Sequence, residues 1–396
     1  MRHITDNERR DRIARRHALA PDFRLPDSEA ATAAMTVLHA TEAPSVYLSL
    51  YARVEGLKPS DVDAALYEDR SIVKQLAMRR TLFVFPRHLL PAAWGSASAR
   101  VAGQILARLV KQVESAGLAE DGAAWMKSAR RAVVSRLRNG DDLSAQELRE
   151  EVPELAGRFV MAPGKKYGGE FSIAPRVLAQ FGAEGLIVRG PNQGHWRTAR
   201  PRWTSMSAWL GDVPEPLSEA DGYAELVKRW LWTFGPGPIE DIRWWLGSTV
   251  TVVKRALNDV AAVEVSLERG ATGWVLPNDL EPVSVDAPWG CLLPVLDPST
   301  MGWKQRDFYL GAHGTELFDI NGNAGTTTWW DGRIVGCWIQ DQFGVVRLVF
   351  LEDPGAEARK FLQNEADRLT DWLEGHRVST VYPSSAMRAA LAQPQT

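Results

Sequence analysis

Three polar side chains interrupt an apolar stretch near the start of the chain. His39, Thr41 and Glu42 follow Leu38 and precede the run from Pro44 to Tyr51. Polar groups set among apolar ones are costly unless hydrogen-bonded or put to use. An imidazole donates or accepts a proton near neutral pH, a hydroxyl positions a water, and a carboxylate polarises one. Pro44 disfavours helical geometry at Ala43, so a helix is expected to end near here, with extended backbone at 39–41. Positions 39 and 41 then share a side, and Glu42 faces elsewhere unless a turn redirects it. His39 and Thr41 form the candidate catalytic pair. Glu42 is the third candidate, to polarise water or to hold the imidazole. Further on, "MRRTLFVFP" (Met78 to Pro86) sets Arg79 and Arg80 before a β-rich run, where contact with phosphate is expected.

Other chemistries have no foothold. There is no Walker sequence, no GxSxG and no Cys/His zinc spacing, so no metal site is expected. Without a lysine near His39, a Schiff-base mechanism is not suggested. The two cysteines, Cys291 and Cys337, sit in apolar runs and read as buried free thiols. No run of 18 apolar residues occurs, and the N-terminus is polar and Arg-rich, so neither a membrane span nor a secretory signal is expected. A cytoplasmic location fits. The first 200 residues carry 30 basic and 23 acidic side chains, and the remainder 16 and 26, which suits a polyanionic partner for the first half. The 16 tryptophans can stack on bases, but for any one of them a core position is the commoner use.

The elements that must position these groups repeat. Residues 1–27 read as a basic arm with Arg9, Arg10, Arg12, Arg15 and Arg16 on one helix, either touching phosphate or packed on a neighbour. Residues 28–120 read as three helices, the first capped by Ser28, followed by a hairpin; this is the winged-helix order. Residues 121–212 repeat it. A helix over 122–138 leads to one capped by Ser144 with Glu147 at the capping-box position, and His195 to Trp203 forms the wing. Residues 213–287 repeat it a third time. Residues 288–396 are β-rich, with Asp331-Gly332 as a hairpin turn and a last helix from Gly355 to Gly375; the final 15 or so residues read as a fraying tail. The class is α+β, with three tandem winged-helix modules. Such modules bind nucleic acid through a helix in a groove and basic wings on phosphate, and the candidates are Lys165, Lys166, Arg176, Arg189, Arg197, Arg200 and Arg202.

Five segments occur in an order that resembles the AlkZ/YcaQ family of winged-helix DNA glycosylases. They are "LHATEAPSVYLSLYAR" (Leu38 to Arg53), "MRRTLFVFP", "FGPGPIEDIRWWLG" (Phe234 to Gly247), "LLPVLDPSTMGWKQRDFYL" (Leu292 to Leu310) and "WWDGRIVGCWI" (Trp329 to Ile339). The resemblance covers about residues 28–375. It implies three winged helices around a concave, DNA-lined channel, with a small C-terminal β-barrel-like region. It implies cleavage of the N-glycosidic bond of alkylated or crosslinked bases, without metal or cofactor. The family motif, Gln-x-Gln or Gln-x-Asp, falls on His39-Ala40-Thr41, so both motif side chains differ here. Lys304, Arg306 and Arg333 lie in the family-like β-region and would grip the backbone near the lesion.

The substitution at His39 has a chemical consequence. Glycosidic hydrolysis builds positive charge on the deoxyribose. A cationic alkylated base leaves with little help, whereas a neutral lesion such as a deaminated base leaves as an anion and needs a donor. Histidine supplies one. The expectation is therefore a monomeric, cytoplasmic, nucleoid-associated, monofunctional DNA glycosylase of base-excision repair. It would act on double-stranded DNA carrying a damaged base, alkylated or, by the His39 argument, deaminated. The alternatives are a non-catalytic winged-helix DNA-binding protein or regulator, and a protein-interaction scaffold.

Overall fold

His39 lies on a short strand, β1 (Leu38–His39), but the proline expectation fails at Ala43: a helix begins there rather than ending near it, with Pro44 in its first turn. A computed structural model describes residues 1–161 and 168–393; Lys165 and Lys166 lie outside the described residues. β2 (Ile72–Leu76) and β3 (Leu82–Pro86) form an antiparallel hairpin, and β1 adds to the free side of β3, pairing His39 with Phe83. β3 is thus the central strand. Its Phe83, Val84 and Phe85 are fully buried, which suits a β-branched and aromatic run covered on both faces. Helices Ser28–Ala34, Ala43–Tyr51 and Pro59–Asp63 frame this sheet. Pro44 occupies the first turn of the second, where no amide hydrogen is needed.

A second set of helices and hairpins follows. Helix Ala97–Ser115 leads to Gly122–Arg136, Ala145–Glu151 and Ala174–Ala183. β4 (Arg158–Met161) pairs with β5 (Gly169–Ser172), and β6 (Ile187–Asn192) with β7 (Pro201–Ser205). The capping box is formed: Ser144 Oγ accepts from the Glu147 amide at 3.2 Å, and the Glu147 carboxylate accepts from the Ser144 amide at 2.7 Å. Residues from Val101 to Trp203 build a core of their own, while Ala97 belongs to the main core. The long helix therefore enters both.

The third set has helices Glu219–Phe234, Ile239–Leu246 and Val250–Asp259, then the hairpin of β8 (Val263–Ser266) and β9 (Thr272–Val275). The C-terminal region is a four-stranded antiparallel sheet in chain order: β10 (Gly290–Leu293), β11 (Thr327–Trp330), β12 (Arg333–Gln340) and β13 (Val346–Phe350). Asp331 and Gly332 make the turn between β11 and β12, both with positive φ, as a tight hairpin demands. Helix Ala356–Leu373 packs on β10 and β13. Both cysteines are free and buried, and burial pushes the Cys337 thiol up to about 12. Among the described residues no helix is long and apolar enough to cross a membrane.

Two further expectations are corrected, and one open choice is decided. Asp27, not Ser28, caps the first framing helix, its carboxylate accepting from the Ala30 amide at 2.8 Å; Ser28 is already inside the helix. Of the two readings of the N-terminal helix Asp6–Arg16, packing on a neighbour is the one the structure takes. Arg12 is buried and pairs with Asp279 at 2.8 Å, Arg16 bonds the same carboxylate, and Arg9 lies 3.5 Å above the Phe308 ring. The tail does not fray at once: Ser385–Leu391 is a helix that buries Ala386 and Met387.

Candidate functional site

β1 delivers His39 into a nearly closed setting. Its side chain is 5% exposed and its ring centroid lies 4.7 Å from that of Phe83. Nδ1 is shut from solvent and has no hydrogen-bond partner. Burial, and then the positive charge of Arg79, drive the imidazole pKa down to about 3, with Asp297 opposing. The ring is therefore neutral throughout the physiological range, able to donate from one nitrogen and accept at the other but not to act as an imidazolium.

The other two motif candidates part from it. Thr41 is exposed. Glu42 is turned toward the C-terminal segment, where it accepts from Thr380 Oγ1 at 2.9 Å and from the Val381 amide at 2.6 Å. Burial raises its pKa against those two bonds. With its carboxylate so engaged and His39 Nδ1 unpartnered, Glu42 does not hold the imidazole. It instead faces a cavity of about 760 Å³ between Pro44, Leu48, Trp338, Met387 and the segment from Arg377 to Thr380, which neither His39 nor Thr41 lines.

The cation whose charge acts on His39 is an arginine from the β2–β3 turn. Met78–Arg80 makes this turn, with φ of +53° at Arg79 and +60° at Arg80. Such left-handed values are uncommon for residues other than glycine and store strain. Arg79 places its guanidinium 4.0 Å from the ring centre of Trp244, on helix Ile239–Leu246. Arg306 lies 5.2 Å from the same ring and 4.3 Å from Phe318. Burial, and then the charge of Arg306, push the Arg79 pKa down to about 10, and burial lowers that of Arg306. Arg79 makes no hydrogen bond or ion pair among the described residues, and its buried Nε is unpartnered, as is Nη2 of Arg306. Nearby Asp241 accepts from the Lys304 and Gln305 amides, and its pKa is raised to about 6, mainly by burial. Two cations from distant parts of the chain thus share one indole with no carboxylate bonded to either, an arrangement that favours an anion.

Gly247 makes that approach feasible. It ends the Trp244 helix at φ +62°, and a Cβ there would stand 2.8 Å from Arg79 Cγ. Gly247→Ala is expected to lower stability by about 1 kcal/mol, read by urea unfolding, and to lift Arg79 off the indole. An unchanged unfolding midpoint would contradict this packing.

The remaining expected phosphate ligands divide. Arg80 and Arg176 line one pocket together with Arg108, which the sequence did not single out. Arg333 is exposed at the start of β12 and unpaired among the described residues. Lys304 is half-exposed and paired with Glu240 at 3.0 Å. Arg197 is committed within the protein, donating to His195 Nδ1 at 3.0 Å and to the Arg377 carbonyl at 2.6 Å. Arg202 is paired with Asp142 and with Glu147. Arg189 is 5.2 Å from the Trp203 ring. Among the described residues no cluster of metal-ligating side chains occurs. Sequence reasoning missed Trp244, Arg108 and the buried pair Arg53–Asp297 behind helix Ala43–Tyr51. The "RWW" run hinted at Trp244 only through the excess of tryptophan.

A family model described as DNA glycosylase AlkZ-like matches residues 32–372. Among solved structures, the Streptomyces sahachiroi DNA glycosylase AlkZ superposes with a TM-score of 0.73 at 17% identity, covering 94% of this chain and 98% of that one. At that identity the likeness is one of fold. No curated protein matches the chain.

Proposed function

This chain belongs to the AlkZ-like DNA glycosylase family, and from that premise we propose a monofunctional enzyme that hydrolyses the N-glycosidic bond of damaged, uncharged bases in double-stranded DNA. The three helix-and-hairpin sets are read as winged helices around the DNA, and the C-terminal sheet with its helix as the barrel-like region. His39 is the residue that acts on the leaving base, with Thr41 positioning water. Arg79, Arg80, Arg176, Arg306 and Arg333 meet phosphate.

The observation that carries the substrate reading is the neutral, buried His39, on which the positive charge of Arg79 outweighs the opposing charge of Asp297. A base that is already cationic leaves neutral, and a guanidinium beside it only repels it. A deaminated base leaves with negative charge, which a nearby guanidinium and an imidazole N–H stabilise in a site of low dielectric. The charge that suppresses protonation of His39 thus favours an anionic leaving group.

The test is abasic-site formation from duplex oligonucleotides carrying hypoxanthine, uracil or N7-methylguanine. Release of hypoxanthine or uracil is expected to exceed its spontaneous rate by a larger factor than release of N7-methylguanine. The reverse order would reject the uncharged-lesion reading, and no release from any of them would reject the enzyme. The second reading, a DNA-binding protein that has lost catalysis, is favoured by one fact: Thr41 is exposed while His39 is nearly enclosed. It predicts DNA binding without base release.

A further inference from the structure

We propose that the pocket under the β2–β3 turn, rimmed by Arg80, Arg108 and Arg176, is a phosphate-binding site that takes one backbone phosphate of the DNA; this rests on the DNA-binding reading above. The pocket encloses about 490 Å³. Leu76, Ile105 and Leu109 are among the apolar residues that line it, the three arginines and Gln112 supply its polar groups, and no carboxylate lines it. Its walls come from three places: the turn, helix Ala97–Ser115 and the first turn of helix Ala174–Ala183.

One of the three cations is braced. Arg176 donates to Gln112 Oε1 at 2.8 Å and lies 4.3 Å from the Phe159 ring. Its pKa is lowered, by burial first and then by the charge of Arg80. Arg80 and Arg108 are exposed, and neither has a side-chain hydrogen bond or ion pair among the described residues. Convergent guanidinium groups without a counter-charge fit an oxyanion with several acceptor oxygens, and the apolar wall fits the sugar that carries it.

Backbone strain points the same way. The β8–β9 hairpin makes the same turn: the Leu267 amide bonds the Ala271 carbonyl at 2.8 Å, as the Ala77 amide bonds the Thr81 carbonyl at 3.0 Å. Where the first turn has Arg79 and Arg80, this one has Arg269 and Gly270, at φ +58° and +74°. Glycine takes that last position without strain, and arginine does not. Arg80 keeps the strained position although its side chain bonds nothing among the described residues. Its purpose therefore lies outside the fold.

The experiment uses the full chain and an undamaged duplex, with affinity measured against salt concentration. The variants are Arg80→Gly, which relieves the turn and so keeps the fold, Arg108→Gln, and both together. The slope of log affinity on log salt is expected to flatten by about 0.9 in the double variant, as for one phosphate contact. An unchanged slope overturns the proposal. A flattening of about 1.8 overturns the shared pocket, because it assigns separate phosphates to the two arginines. In parallel, inorganic phosphate is expected to raise the Tm of the wild type above that in chloride of equal ionic strength, and not that of the double variant. Equal Tm in both salts for the wild type overturns the anion site. A phosphate effect lost in the double variant, without any duplex binding, overturns the DNA source and the DNA-binding reading while the anion site stands.

Discussion

Replacing His39 by alanine is expected to reduce base release from the preferred lesion by about 10²–10⁴-fold while leaving affinity for undamaged duplex unchanged. The size follows from losing a positioned proton donor at the leaving group, and the unchanged affinity from its near-complete burial away from phosphate. The pH dependence is equally specific. With its pKa driven to about 3, His39 keeps one protonation state from pH 5 to 8. The ratio of wild-type to variant rate is therefore expected to be flat across that range, including the region near pH 6 where Asp241 titrates. A ratio that falls on acidification through pH 6.5 would mean that the ring titrates normally and is open to water. His39→Gln, which supplies the residue that the family resemblance implies at this position, gives a second reading. It is expected to recover release of N7-methylguanine more than release of hypoxanthine, since an amide faces a cationic lesion without needing to neutralise an anion. Equal rates for wild type and His39→Ala would remove the imidazole from the mechanism.

Asp297→Ala is expected to lower stability by about 3–5 kcal/mol, the largest effect of any single replacement considered. Asp297 and Arg53 are both 0% exposed and joined by two short bonds, Nη2 to Oδ1 at 2.7 Å and Nη1 to Oδ2 at 2.9 Å. Ser49 Oγ donates to the carboxylate at 2.7 Å, and the Ser299 amide at 2.9 Å. Ser299 also meets His17 Nδ1 at 2.8 Å, so three chain regions meet here. Removing the carboxylate leaves a buried guanidinium without a counter-charge. Arg53 lies two residues past the end of helix Ala43–Tyr51, which starts just after Thr41 and Glu42, so the loss is expected to reach base release as well. Replacing both partners by apolar residues of similar volume is expected to cost less than Asp297→Ala, and the opposite order would contradict the account. Burial alone would raise the Asp297 pKa, but Arg53 and the hydrogen bonds outweigh it and hold it below the ordinary carboxylate value. The folded state therefore binds this proton less tightly than the unfolded chain does. Its stabilisation is complete above the unfolded carboxylate value, about pH 4, and is lost as pH falls through the lower folded value. Asp297→Asn is accordingly expected to remove part of the acid sensitivity seen in urea unfolding below pH 4.

The elements around the site were legible because their signals are local. A capping box needs only Ser144 and Glu147, and a tight hairpin only Asp331 and Gly332. Membership of the family was legible too, because five ordered segments carry it. What the sequence could not settle is which groups face one another. Arg12 meets Asp279 across 267 positions, and Glu42 meets the Val381 amide across 339, so a basic arm became a packed helix and a candidate for holding the imidazole became a tether for the C-terminal segment. Arg79, Trp244 and Arg306 come from three separate stretches, and no spacing joins them. Secondary structure is decided by neighbours within a few residues, whereas burial, pKa and charge pairing depend on whatever the folded chain brings alongside. By itself the sequence determined the elements and the family. Only the tertiary structure decided that His39 is buried and neutral, and that the charges acting on it are those of Arg79 and Asp297.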